Sequence, residues 1–341
     1  MKIAIQSTPI GFTDRWIAYC EDNNISYKLV DCYKNDILNQ LKDCDALMWH
    51  HNLLQKKDNL IAKRLLTAVE HAGKIVFPSI YENWHYDDKI AQKYLLEAIG
   101  APLVPTFVFY DKKEALQWAH ATTFPKVFKL KGGAGSINVR LVRTKSEAVR
   151  LINKAFAKGF DPVSKKYFLQ EAFRKFKNGK INFIGLLKGF YRYMKPADKN
   201  FVNERQVDYV YFQDFIPGND ADYRVVVINQ NRAFGLKRYN RENDFRASGS
   251  GNAEYLKPTN VSERIIKTAL LTAAQLKMSS VAFDIVLDAD GNPLIIEITY
   301  AYGSKVNNCP GYWDENLIWN ETRFKHQHWM MDNVINRLNE R

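Results

Sequence analysis

The chain has 341 residues, 46% hydrophobic and 25% charged, with a formal net charge of +12. That is an ordinary globular composition with room for two or three modest cores, and no apolar run approaches the ~18 residues that span a bilayer. The positive excess permits nucleic acid, an anionic surface or a polyphosphate as partner, while the four cysteines form neither a CxxC pair nor a zinc spacing and read as reduced, cytosolic thiols.

Residues 2–7, 27–31, 46–49 and 74–77 read as short strands, separated by helical patterns over 12–22, 35–41 and 53–71. Such alternation implies a small parallel α/β domain of roughly 80 residues, so MKIAIQS is expected to be its first strand and not a signal peptide. A polar, aromatic connector over 81–88 leads to an amphipathic helix over 88–99, ended by Gly100 where a left-handed cap is expected. A strand (106–110), a helix (112–120), two strand-like pieces (126–130 and 138–142) and another helix (145–157) follow. The stretch from Arg174 to Arg205 carries Arg174, Lys175, Lys177, Lys180, Lys188, Arg192, Lys195, Lys199 and Arg205 against only Asp198 and Glu204. Aromatic residues are interleaved, and the alternation in INFIGLLKGFYRYM favours a half-buried sheet with a cationic face over a platform for stacked single strands. Strands over 209–215, 223–229 and 233–239 and a helix over 262–276 lead to an acidic hairpin, and residues 312–341, with Trp313, Trp319 and Trp329, read as a packed extension.

The hairpin, AFDIVLDADGNPLIIEIT from Ala282 to Thr299, is the most informative stretch. Asp290-Gly291 signals a two-residue turn, and that turn would set Asp284 opposite Glu297 among Phe, Ile, Val and Leu. Opposed like charges destabilise a sheet, and an unpaired buried carboxylate is costly. A divalent cation would remove the cost; so would a Lys salt-bridged to either acid on a solvated face. In the first case, Asp284→Asn or Glu297→Gln would leave the fold intact and slightly stabilise the metal-free protein.

Two further units carry phosphate chemistry. The loop Lys131-Gly132-Gly133-Ala134-Gly135-Ser136 joins two strands, so it is neither a P-loop nor a dinucleotide fingerprint. Its glycines still let backbone N–H groups approach phosphate oxygens, Ser136 adds a hydroxyl, and Lys129 or Lys131 could add an ammonium. Farther on, Gln213-Asp214-Phe215-Ile216 ends a strand before Pro217-Gly218 and could face an adenine. Asp222 and Arg224 alternate along the next strand, and Lys237, Arg238, Arg241 and Arg246 converge on a glycine-rich stretch, which suits a triphosphate and its metal. The pairs His50-His51 and His326-x-His328 read as packing residues, and no Ser-His-Asp or Cys-His arrangement stands out.

In this order the units resemble the ATP-grasp superfamily, and within it the carboxylate–amine ligases of the ribosomal-protein glutamate ligase type. The resemblance covers 88–299, and 1–84 fits the α/β domain that precedes the grasp. It implies an α/β (α+β) chain with the ATP-grasp fold: an N-terminal domain (1–84), a central grasp subdomain with the glycine loop (85–170), a C-terminal grasp subdomain with the metal hairpin (171–311) and an extension (312–341). It further implies that Lys89 and Lys129 contact phosphates with Gly133 and Ser136, that Asp214 and Phe215 sit at the adenine, and that Asp222 sits at the ribose with Lys237 near the nucleotide. Arg246 and Ser248 would reach the γ-phosphate and the bound carboxylate, supported by Arg238. Asp284, Glu297 and Thr299 would hold Mg²⁺, or Mn²⁺ in its place. The family usually has Asn where Thr299 stands, and the shorter Thr puts a second ion in doubt.

The implied reaction uses ATP to convert a carboxylate to an acyl phosphate, which an amine or amino acid then attacks. The acceptor would be a small molecule, a saccharide or a peptide, and the basic segment could face an anionic one, such as a uronic-acid-containing saccharide or acidic peptide. A cytoplasmic protein without a membrane span is expected, and a homo-oligomer is allowed. Two other readings stand beside this one: an ATP-binding regulator without turnover, with Thr299 as its symptom, and a nucleic-acid-binding module whose binding would fall steeply with salt.

Overall fold

Four short apolar runs near the N-terminus, β1 (Lys2–Gln6), β2 (Ser26–Val30), β3 (Ala46–Met48) and β4 (Ile75–Phe77), pair in parallel in the order β2-β1-β3-β4. α1 (Thr13–Asp22), α2 (Ile37–Gln40) and α3 (Lys56–His71) connect them. Parallel strands are covered on both faces, so their sequences need no alternation: Ile3, Ala4, Ile5, Ala46, Leu47 and Met48 are all fully buried. The computed structural model describes residues 1–8, 11–132, 138–161, 169, 172–173, 176, 179, 181–194, 204–242 and 244–341. The chain forms two compact units, one of Met1–Leu53, Lys57–Val104 and Ile216–Arg341, the other of Leu54–Lys56 and Pro105–Phe215.

After β4 the first unit continues through α4 (Ile80–Asn83) to α5 (Lys89–Ala98), where the Asp88 carboxylate caps the backbone N–H groups of Ile90 and Ala91. Gly100, at φ +68°, lies just past the end of α5 and supplies the expected left-handed residue. The larger sheet of this unit contains β9 (Ala221–Ile228), β10 (Arg232–Tyr239), β11 (Ala253–Tyr255), β12 (Ser280–Leu287), β13 (Pro293–Thr299), β14 (Tyr312–Asp314) and β15 (Trp319–Asn320). Its order is β13-β12-β9-β10-β14-β15, with β11 beside β10.

The two-residue period divides this sheet into two unlike faces. Val225, Val227, Phe283, Ile285 and Ile298 pack on Ile265, Ile266, Ala269 and Ala273 of α9 (Glu263–Leu276). Val226, Ile228, Phe234 and Ala282, on the other face, share a core with Ile3, Ile5 and Phe77 of the parallel sheet and with Met330, Met331 and Val334 of α10 (His326–Asn339). Full burial of each large apolar side chain is worth about 1.5–3 kcal/mol. Farther along β9, β10 and β12 the same face turns from apolar to charged, at Asp222, Arg224, Arg238 and Asp284.

The second unit is an antiparallel sheet, β5-β8-β6-β7, made of β5 (Thr106–Phe109), β6 (Lys126–Lys129), β7 (Arg140–Val142) and β8 (Val210–Asp214). α6 (Lys112–Ala121) and α7 (Lys145–Ala155), N-capped by Asp111 and Thr144, bury Ala115, Ala119, Ala148 and Ile152 with Phe128, Val142 and Phe212. The half-buried sheet expected from INFIGLLKGFYRYM does not form: Phe183–Met194 is a helix, α8. Phe183, Leu187, Phe190, Tyr191 and Met194 recur at three- and four-residue steps, and that period prevails over the shorter alternation.

The histidine pairs are packing residues. His51 is fully buried with Nε2 against Asn83 Oδ1, and His326 Nε2 meets Asn307 Oδ1. Burial pushes His50 down to about 4 and His51 to about 3. All four cysteines are unbridged and buried.

Candidate active site

In the acidic hairpin Asp284 does lie opposite Glu297. It gets there by a different route from the expected two-residue turn. Leu287 pairs with Pro293, the Gly291 N–H bonds the Asp288 carbonyl, and Gly291 takes φ +76°, a three-residue loop whose last residue is left-handed. That loop alone would set Asp284 opposite Ile296. A bulge between the Asp284 and Ile285 pairings adds one residue to β13 and restores Glu297 to the position.

The cost of the opposed acids is met by cations of the chain itself. On the neighbouring strand Arg224 pairs in register with Asp284 and grips it with a fork, Nε to Oδ1 at 2.8 Å and Nη2 to Oδ2 at 2.8 Å. Arg238, opposite Asp222 in β10, makes a second fork to that carboxylate at 2.6 Å per bond and also reaches Asp284 Oδ2 at 2.8 Å. Lys89, at the first turn of α5 and 5% exposed, places Nζ 3.1 Å from Glu297 Oε1. The salt-bridged alternative for Glu297 is therefore realised, by a lysine that is buried instead of solvated.

These pairs fix the charge states. Burial would raise the Asp284 pKa, but Arg224 and then Arg238 outweigh it and hold the carboxyl well below the usual range. Burial would likewise lower Lys89, but the charge of Glu297, with Asp87 and Asp88, carries it upward. Arg238 is held above its ordinary value by Asp284 and Asp222 despite its burial. Fork-shaped pairs of this kind also fix carboxylate orientation, which a single ammonium would not do.

Thr299 faces away from this chemistry in its hydrogen bonding. Its hydroxyl donates to the Ala301 carbonyl at 2.9 Å and accepts from the Ala301 N–H at 3.2 Å. Arg246 lies against Asp244, Nε to Oδ1 at 2.9 Å and Nη2 to Oδ2 at 2.6 Å, and Arg241 binds the Ser248 carbonyl through Nε at 2.9 Å, closing the glycine-rich turn. Lys237 alternates to the opposite side of β10 from Arg238, with Nζ 5.0 Å from the Tyr239 ring centroid.

In the second unit, Lys126 Nζ bonds Asp214 Oδ1 at 2.5 Å, and Lys129 Nζ bonds Gln213 Oε1 at 2.5 Å, with the Gln213 amide N–H₂ donating to Thr106 Oγ1 at 3.0 Å. Lys129 and Gln213 are buried, so β8 supports the β6 lysine from across the ladder. Phe215 follows β8, while Gly133 and Ser136 lie outside the described residues.

Sequence reasoning named Arg224 and Gln213 without giving either a partner. The D-x-R spacing puts Arg224 on the face of Asp222, but only the β9–β12 pairing shows that it meets Asp284. Among the described residues no group of three or more His, Cys, Asp or Glu is poised to hold a metal.

Residues 199–308 match the family model described as the RimK-like ATP-grasp domain. No curated protein matches the chain. Among solved structures it is similar to a RimK domain protein ATP-grasp from Sphaerobacter thermophilus DSM 20745, at 14% identity and a TM-score of 0.51, over 87% of this chain and 90% of that one. It is similar to the ATP-grasp ligase PsnB complexed with minimal precursor, Mg and ADP, at 13% identity and a TM-score of 0.54, over 99% and 98% of the two chains. D-alanine–D-alanine ligase from Bacillus anthracis, complexed with ATP, is similar at 12% identity and a TM-score of 0.54, over 100% and 98%.

Proposed function

We propose that this chain, whose residues 199–308 match the RimK-like ATP-grasp domain, is an ATP-dependent ligase that activates a carboxylate as an acyl phosphate and passes the acyl group to an amine. The observation that carries the reading is the pair Asp284 and Glu297, set face to face by a strand bulge, the first gripped by the Arg224 fork and the second paired with the buried Lys89. Phosphoryl transfer asks for positioned charge more than for a nucleophile, and positioned charge is what β9, β10, β12 and α5 supply.

The donor set fits one Mg²⁺ or Mn²⁺ ion. Both candidate ligands are hard oxygens, and Asp284 Oδ1, which accepts from one guanidinium nitrogen, keeps coordination capacity. Glu297 is 29% exposed, and only its Oε1 is engaged by Lys89. With Thr299 bound to its own turn, Asp284 and Glu297 would hold the ion together with nucleotide phosphates, and the ion would neutralise charge on the transferring group. Arg224 and Arg238 keep the Asp284 carboxylate ionised and fixed in orientation, while Lys89 pairs with Oε1 of Glu297. Lys129, Gly133, Ser136, Asp214, Phe215, Asp222 and Lys237 are proposed for the nucleotide, and Arg246 and Ser248 for the γ-phosphate and the acceptor carboxylate.

The test is ADP release screened against pooled carboxylates and amines, followed by mass analysis of the product. The expected product is an amide whose formation consumes one ATP to ADP and phosphate. Binding of ATP without ADP release, after a broad acceptor screen, would instead favour a regulator, the reading that the engaged Thr299 hydroxyl supports.

A second measurement separates the two β6 lysines. Lys126 is committed to Asp214, so Lys126→Ala is expected to cost stability, with ATP affinity changed by no more than a few fold. Lys129→Ala is expected to weaken ATP by roughly tenfold or more, the range of a charge-assisted phosphate contact. Calorimetric ATP titration of both variants decides this, and equal affinities would remove Lys129 from the phosphate site.

A further inference from the structure

α8 carries its amphipathic pattern inside out. At 100° per residue, Phe183, Leu187, Phe190 and Met194 fall on one stripe that Ile184 widens, and Gly185 and Gly189 lie on the other side. The glycine side is the one turned to the protein: a Cβ added to Gly189 would sit 2.5 Å from the Cβ of Ala172, itself 9% exposed. The apolar stripe faces water, with Phe183 at 61%, Ile184 at 60%, Leu187 at 51%, Phe190 at 52% and Met194 at 66% exposure. Phe176, 39% exposed with its ring 6.4 Å from that of Phe183, and Phe173, 54% exposed, enlarge the patch. Contiguous apolar surface on this scale marks an interaction face.

We propose that this face lies on the surface of a bilayer containing anionic phospholipid, with α8 in the plane of the interface. Three observations select this occupant. The stripe is the outer side of a helix and not a groove, so it suits a flat, deformable partner better than a peptide, which needs a concave seat. The segment is cationic: Lys188 is exposed on α8, and the sequence from Arg174 to Arg205 holds nine Lys or Arg against Asp198 and Glu204. Such a balance is complementary to acidic headgroups and repels a second copy bearing the same charge. The exposed side chains include the aliphatic Ile184, Leu187 and Met194, which bury in acyl chains but offer no platform for nucleic-acid bases. No helix among the described residues is long and apolar enough to cross a membrane, and α8, at 12 residues, would lie on one.

The test is co-sedimentation of the full chain with phosphatidylcholine vesicles, with and without phosphatidylglycerol, at low and high salt. Binding is expected to be roughly tenfold or more tighter to the anionic vesicles and to weaken with salt. Leu187→Glu with Met194→Glu, and separately Lys188→Glu, should each reduce it by about tenfold or more, with melting temperature and ATP affinity unchanged. Those two controls keep the outcome independent of folding and of the ligase reading. No vesicle binding, or equal binding to neutral and anionic vesicles, would overturn the proposal. So would a dimer in solution that the Leu187→Glu, Met194→Glu pair abolishes while vesicle binding is absent.

Discussion

Asp284→Asn is expected to lower the unfolding free energy by about 3–5 kcal/mol, the range for breaking a buried ion pair from one side. The expectation from opposed carboxylates alone had the opposite sign, a slight gain in the metal-free protein. It fails because Asp284 is the shared partner of Arg224 and Arg238, so an amide there leaves two largely buried guanidinium groups facing one remaining carboxylate, Asp222. Glu297→Gln should cost less, since Glu297 is 29% exposed and among the described residues pairs with Lys89 alone. The pH dependence follows from the sign of the shift. The folded pKa of Asp284 is depressed, so its contribution is fully present above the ordinary carboxylate value of 3.8 and is lost as pH falls below it through the folded value. The difference between wild type and Asp284→Asn in urea unfolding should therefore be largest near neutrality and shrink in acid. Equal stability at pH 7 would show that the Arg224 fork and the Arg238 contact to Asp284 contribute nothing net.

The hairpin also shows how far local sequence carries. Asp290-Gly291 located the reversal, and the placement of Asp284 opposite Glu297 is correct, but two errors of one residue cancel in it. The loop has three residues instead of two, and an unforeseen bulge in β13 returns the register. A turn signal is local and legible, whereas a bulge is set by what the strand must aim at, which no single sequence displays. The same divide explains Arg224 and Gln213. Their types and spacing are visible, but their partners are brought to them by pairing with strands distant in sequence. In α8 both periods are present, and what decides between them is whether a neighbouring strand exists to complete a sheet. The parallel N-terminal sheet was legible because strand–helix alternation with unbroken apolar runs has few other solutions.

Mn²⁺ is expected to bind this protein tightly only together with a nucleotide. The ladder at the site holds Lys89, Arg224 and Arg238 against Asp222, Asp284 and Glu297, three positive side chains to three negative, so it offers a lone divalent cation no net attraction. The nucleotide's phosphates supply the missing negative charge and the remaining oxygen donors. A unit-charge pair at ~4 Å is worth roughly 4 kcal/mol at an effective dielectric of ~20, so even a third of that changes affinity about tenfold. Arg224→Met should then have two opposite effects. It weakens the hold on Asp284, and it leaves the ladder with net negative charge, so Mn²⁺ should bind the nucleotide-free variant tenfold or more tighter than it binds the wild type. Water-proton relaxation enhancement by Mn²⁺, with and without ADP, reads both quantities without reference to turnover. Tight binding of Mn²⁺ to the nucleotide-free wild type would show that the arginines do not neutralise the acids. No ternary complex with ADP would remove Asp284 and Glu297 from metal binding altogether.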